Sequence, residues 1–309
     1  MNLIFFAGLV LPIFAVIGAG HFAVRRGLVA TEGLAALTGF TFWLALPALL
    51  FGSIAEMDSG GLMDVSEIYL VACLIVYVLS MAINRVILGG TLTENAVFGL
   101  NATYGNVIYL GTPVVSAVFG VKGVSLILAI IALHSGFLLP LAACLIEIGT
   151  PKQGGVGSVL RNTAFGIVRN PILMSIFLGF VWNALDLPMP GPMHDLLTML
   201  GRAAAPLALF NLGASLPVLG GEVAIGEATV TSVIKLAILP ISVGLLADAA
   251  GLSGLPWQVA VVTAAMPTGA NAFMLARKTT SFSEVSASTV VITTGLSLVT
   301  ITGILSFME

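Results

Sequence analysis

The chain has 309 residues, 58% of them hydrophobic and only 8% charged, with a mean hydropathy of +1.12 and a formal net charge of −3. A soluble domain is typically about a quarter charged, so no soluble core would hide this much apolar side chain, and the lipid bilayer must serve as solvent. Scattered Lys and Arg under a net negative charge argue against a nucleic-acid partner; Cys73 and Cys144 fall inside apolar segments, as small hydrophobes rather than a disulfide framework or metal site.

Windows of about 20 apolar residues predict an all-α membrane protein of ten spans. In chain order these are Leu3–Val24, Leu34–Ala55, Ile68–Leu88, Ala96–Phe119, Gly123–Glu147, Pro171–Leu187, Leu196–Leu219, Ala228–Ala250, Trp257–Ala276 and Val285–Met308. Arg25 and Arg26 follow the first span and no basic residue precedes it. A cleaved secretory signal has the opposite polarity, so the first span reads as a retained helix. The fourth span, AVFGLNATYGNVIYLGTPVVSAVFG, is broken around Gly105, Asn106 and Pro113. The ninth, VAVVTAAMPTGANAFMLARK, is broken around Pro267, Gly269 and Asn271. Such breaks free backbone N–H and C=O groups at membrane depth, where only protein or a watery cavity satisfies them. A pair of broken helices in corresponding halves is the best sequence pointer to a transporter's binding site.

Loops numbered alternately from the first span separate the charges. The odd loops hold Arg25, Arg26, Arg85, Lys152, Arg161, Arg169, Arg277 and Lys278, and the even loops only Lys122. The second loop is acidic through Glu56, Asp58, Asp64 and Glu67. By the positive-inside rule the odd loops are cytoplasmic and both termini lie outside. The halves also repeat each other. Pro12 and Pro171 stand in similar apolar contexts 159 positions apart, as do Pro47 and Pro206 in LPALLF and APLALF. NVIYL at Asn106 matches NAFML at Asn271 at a shift of 165. Five spans per half is an odd number, so the second half is inverted relative to the first, an architecture of many secondary transporters. The expected organisation is 1–149 as one repeat, 150–169 as a cytoplasmic connector with a short amphipathic piece, and 170–309 as the inverted repeat.

The two broken spans enter from opposite sides, so their second half-helices start near the midplane facing each other. Helix N-termini expose N–H groups and a positive dipole end. Asn is a strong N-cap, and Asn106 and Asn271 stand about where those half-helices begin. Two such ends on one cavity favour an anion. The expected substrate-binding residues are Asn106, Asn271, Gly105, Thr268, Gly269 and Lys235, with Pro113 and Pro267 as crossover hinges. Lys235 lies inside the eighth span; it either serves the crossover or snorkels from the cytoplasmic end. His134, near the middle of the fifth span, titrates near neutrality and either couples protons, as Lys235 also would, or makes a helix-to-helix hydrogen bond. Arg202 opens the apolar run of the seventh span and reads as an anchor or a structural pair. No GxxxxGK[ST] loop is present for ATP drive. GASL at Gly213 is a faint serine-protease-like motif, with His134 and Ser215 the sole nucleophile–base candidates for an intramembrane enzyme.

The stretches LPALLF, GNVIYLGTPV, RNPI, PLALFNLGASL, KLAILP and AAMPTGANAFMLA, in that order, resemble the auxin efflux carrier family of the bile/arsenite/riboflavin transporter group. The likeness runs over essentially the whole chain. It implies ten spans in two inverted repeats whose fourth and ninth helices cross at mid-membrane. It further implies a scaffold of spans 1, 2, 6 and 7, a moving transport domain of spans 3–5 and 8–10, and a homodimer. Plant members export auxin, and bacterial members are associated with small carboxylates such as malonate and malate. The connector of about 20 residues lacks the long cytoplasmic loop of many plant members, which favours a bacterial type in the inner membrane. The resulting expectation is an elevator-like secondary active transporter of a small organic anion, a carboxylate, with proton or sodium coupling and no cofactor. A sodium-coupled carrier or proton antiporter of related fold is the main alternative; no span centre carries the Asp or Glu that a membrane cation usually needs. A channel or receptor, distinguishable by single-channel currents, is a third class.

Overall fold

The computed structural model describes residues 3–56, 62–149, 169–219, 224–279 and 282–308. The expected connector lies outside the described residues apart from Arg169. The described elements are helical. They are α1 (Leu3–Arg25), α2 (Thr31–Phe40), α3 (Leu46–Ala55), α4 (Leu62–Ile87), α5 (Leu92–Thr103), α6 (Thr112–Gly149), α7 (Pro171–Ala184), α8 (Gly191–Leu219), α9 (Ile225–Val233), α10 (Leu239–Ala249), α11 (Leu255–Ala264), α12 (Ala270–Thr279) and α13 (Ser283–Phe307). Six continuous helical stretches among the described residues are long and apolar enough to cross a membrane, and three apolar helices are shorter. Buried side chains cluster around α4, α5, α6 and α11, while large apolar residues such as Trp43, Val78, Leu245 and Val299 face outward. An apolar exterior is what lipid demands.

Three five-residue wide turns, Thr41–Ala45, Val107–Gly111 and Ile234–Ile238, lead into α3, α6 and α10. Each is followed by a proline at the second residue of the next helix: Pro47, Pro113 and Pro240. Proline donates no N–H, and its ring clashes with the carbonyl four residues back. Opening the preceding turn to i→i−5 bonding, as from the Thr112 N–H to the Val107 carbonyl, makes room for the ring. Pro113 therefore shapes the start of α6, past Gly105 and Asn106.

The run Val107–Gly149 is 43 residues long, roughly 65 Å as a straight helix and about twice the hydrocarbon thickness. It is bent into two at Gly120, whose φ of 65° lies where glycine is favoured. A Cβ on Gly111 would lie 3.1 Å from Ile127 Cδ1, a contact possible only if the chain doubles back. This turn falls where the fourth and fifth spans were expected to part.

Packing groups the helices. α1 lies along α8, and α3 sits between α7 and α8. Around the broken segments, α4 packs on α5, α6 and α10, α11 packs on α6 and α10, and α13 packs on α9 and α12. A Cβ on Gly213 would fall 1.8 Å from the Ile17 carbonyl oxygen. The GASL motif is thus a close approach of α8 to the α1 backbone at a glycine.

Candidate functional site

α5 starts at a capping box, in which Thr91 and Glu94 each accept a backbone N–H from the other. It ends at Thr103. α11 ends at Ala264, and between these ends the chain crosses itself. Gly105 and Thr268 form an isolated antiparallel bridge. The Asn106 N–H donates to the Pro267 carbonyl at 2.7 Å, and the Gly269 N–H to the Tyr104 carbonyl at 2.9 Å. A Cβ on Gly269 would meet the Tyr104 ring at 3.0 Å and the Gly105 carbonyl oxygen at 3.1 Å, a tight approach that glycine eases.

Side chains satisfy the other freed groups. Lys235 is fully buried and its Nζ donates to the Ala264 carbonyl at 2.6 Å. His134, also fully buried, has Nε2 3.3 Å from the Thr103 carbonyl. Each half-helix that runs into the crossing thus meets a basic side chain at its C-terminus, the negative end of the helix dipole. The burial of Lys235 rules out snorkelling. The Thr268 N–H donates to Thr293 Oγ1 at 3.1 Å, Thr268 Oγ1 to the Asn101 carbonyl at 2.8 Å, and Asn101 Nδ2 to Ser286 Oγ at 2.8 Å. These bonds tie α5, α6, α13 and the Thr268 link around the crossing, and Lys235 ties the end of α11 to the turn before α10.

The donors that begin the second half-helices point elsewhere. By helix geometry the first N–H groups of a helix have no intrahelical partner. Val107, Ile108, Tyr109, Ala270 and Asn271, which supply them, line one pocket. The pocket is closed to about 10 Å³, scarcely the space of one water. Both asparagines belong to it, and both stand about where the second half-helices begin. Asn106 is the N-cap residue of the wide turn Val107–Gly111, yet its side chain makes no cap hydrogen bond. Its Nδ2 is buried without a hydrogen-bond partner. Asn271 lies one residue inside α12, and its Nδ2 is 3.4 Å from Tyr104 Oη.

Tyr104 escaped the sequence analysis. Its hydroxyl also lies 3.2 Å from Ser135 Oγ, and its ring stacks on His134 at 4.7 Å. It therefore links His134 to Asn271 across the pocket. Its position beside Gly105 in TYGN was the available signal. A second signal was the spacing of Ser286, Thr289, Thr293 and Ser297, all fully buried along one stripe of α13. Ser215 donates to Leu212 of its own helix at 2.7 Å, while His134 engages Thr103; the nucleophile–base pair is not assembled.

Residues 5–153 and 156–305 match the family described as membrane transport protein. The chain belongs to that family, which includes the auxin efflux carriers. The family is one of transporters and not of enzymes, and the chain is a multi-pass integral membrane protein. A Rhizobium meliloti protein named "putative malonate transporter" is 28% identical over 301 residues, covering 96% of this chain and 94% of the relative. A Methanothermobacter thermautotrophicus protein named an uncharacterized transporter is 27% identical over 295 residues, 94% of this chain and 95% of that one. The rice protein named "probable auxin efflux carrier component 5a" is 23% identical over 158 residues, 49% of this chain and 44% of its own length.

Proposed function

We propose that the protein is a secondary active transporter of a small organic anion, a carboxylate, bound where the two broken helices cross. The reading is carried by one observation: two second half-helices open onto one pocket, where the unpartnered Nδ2 of Asn106 joins their first N–H groups as a donor. An anion satisfies such donors and meets the positive ends of both half-helices. Asn106, Asn271, Gly105, Thr268 and Gly269 form or frame the pocket. Lys235 holds the Ala264 end and lends its positive charge. Pro267, in the extended link, keeps the ninth span broken. The name of the Rhizobium meliloti relative makes malonate the first substrate to try.

In this reading the ten spans form two inverted five-helix repeats with both termini outside the cell membrane. The α1, α2–α3, α7 and α8 helices are the stationary scaffold, and α4–α6 with α9–α13 carry the site across as an elevator. The hydrogen bonds joining α5, α6, α13 and the Thr268 link, with Lys235 on the end of α11, fit a body that moves as one piece. The protein works as a homodimer, which broadens the scaffold's footing; cross-linking in membranes that recovers only monomer opposes this. Coupling to protons is assigned to His134. Donation to the Thr103 carbonyl requires the proton on Nε2, leaving Nδ1, which has no hydrogen-bond partner, to take the coupling proton.

The test is uptake by purified protein in liposomes, screened against a carboxylate panel with imposed proton or sodium gradients. Malonate or a similar small carboxylate is expected to accumulate against its gradient in the wild type and not in Asn106→Leu or Asn271→Leu. Uptake of no carboxylate, or full uptake by both variants, overturns the reading.

A further inference from the structure

Lys122 and Arg202 take no part in the crossing, yet both line a separate cleft of about 550 Å³. It lies between α3, the first half of α8 and the turn that reverses α6, and its polar wall includes Glu56, Lys122, Ser125, His194 and Arg202. Small-molecule sites have roughly this volume, about 300–1,000 Å³. Glu56 is engaged, with Oε1 3.1 Å from His194 Nδ1 across α3 and α8. Lys122 and Arg202 are exposed. Among the described residues neither is ion-paired. Two free cations against one engaged carboxylate make the cleft electropositive, and its low-dielectric walls focus that field. Arg202 lies inside Gly191–Ser215, a stretch long and apolar enough to cross a membrane, and an arginine within such a stretch is costly and marks an ion or substrate path. α8 also packs on Val107–Gly111, the turn that opens the crossover pocket. The helix that lines the cleft therefore also packs on a turn that lines the pocket.

We propose that this cleft is an anion vestibule in which Arg202 and Lys122 hold the carboxylate of the transported anion before it enters the crossover pocket. The proposal rests on the transport reading above. Arg202 stands on a scaffold helix and Lys122 on the turn of the moving part, so the two cations part and rejoin as the site travels. A carboxylate bridging them is retained in one state and released in the other, with the arginine fork supplying a two-pronged grip. By the charge asymmetry of the loops, the cleft opens to the outside.

The test has two arms. In the first, Ser125→Cys in a Cys144→Ser background reports the cleft's potential through its reaction rates with anionic and cationic methanethiosulfonates, each normalised to a free thiol. The anionic reagent is expected to be favoured by about tenfold or more. Arg202→Gln and Lys122→Gln each reduce that ratio about threefold or more. In the second arm, each glutamine variant raises the apparent KM for malonate uptake about tenfold, with turnover within about twofold of wild type and Arg202→Lys intermediate. A labelling ratio unmoved by either substitution overturns the proposal. So does a ratio that falls while KM stays at the wild-type value. If the wild type takes up no carboxylate, the transport reading fails instead, and the labelling ratio decides whether the cleft selects anions.

Discussion

Asn106→Leu separates binding from folding because its two effects have opposite signs. Asn106 is 3% exposed and its Nδ2 has no partner. A buried, unsatisfied donor costs about 1–3 kcal/mol. Leucine has nearly the same shape, so the substitution removes that cost without opening a cavity. Stability should hold or rise by about 1–2 kcal/mol. Binding should suffer, because a hydrogen bond to a charged acceptor is worth about 1.5–3 kcal/mol. That corresponds to a roughly tenfold to hundredfold weaker Kd. The assay is a thermal melt of detergent-purified protein alone and across a malonate titration. The apo melting temperature should be equal or higher in the variant, and the malonate-induced shift should be lost. A destabilised variant that keeps wild-type affinity refutes the reasoning, since Asn106 would then have a structural partner and no ligand.

Pro267→Ala gives the unfolded chain more freedom and should cost stability only about 0.4–1 kcal/mol, while lowering the uptake rate by roughly fivefold or more as the ninth span gains the option of a continuous helix; expression and turnover falling together would count against this. Lys235→Met removes the donor to the Ala264 carbonyl but also a buried ammonium whose desolvation is expensive, so stability should change by less than about 2 kcal/mol. Carboxylate uptake should nevertheless fall by about tenfold or more, and a variant with wild-type uptake would make Lys235 a purely structural cap. For His134→Gln the measure is uptake against pH. Wild-type uptake should decline as pH rises and the coupling proton leaves Nδ1, whereas the glutamine variant should be flat because it cannot titrate; an unchanged profile moves the coupling elsewhere.

Both breaks were legible in the sequence because Gly, Asn and Pro inside an apolar span have few other uses. The turn at Gly120 was legible because a span has a fixed length. The partners of the freed groups were not. That Gly105 pairs with Thr268, or that His134 and Lys235 meet the ends of α5 and α11, depends on how distant spans cross, and periodicity within one span carries no such information. Capping propensity placed Asn106 and Asn271 near the starts of the second half-helices but gave no side-chain partners. It describes what asparagine does at a solvated helix end, whereas here Asn106 Nδ2 is left unpaired and Asn271 reaches Tyr104. Pro113 is a related case. A proline in a span reads as a break, yet a wide turn absorbs its ring and the helix continues. Tyr104 was overlooked because a tyrosine in an apolar span looks like ordinary core, and only the stack on His134 and the bond from Asn271 distinguish it.

The central claim, that the crossing of the two broken helices is an anion site that reaches both sides of the membrane, is met most directly by labelling Ala270→Cys. Ala270 is half-buried at the start of α12 and lines the pocket. A membrane-impermeant thiol reagent is applied to either face of sealed, oriented vesicles, with and without malonate. Labelling from both faces, slowed by malonate on each, is the predicted result. Labelling from one face alone, or labelling that malonate leaves unchanged, contradicts it.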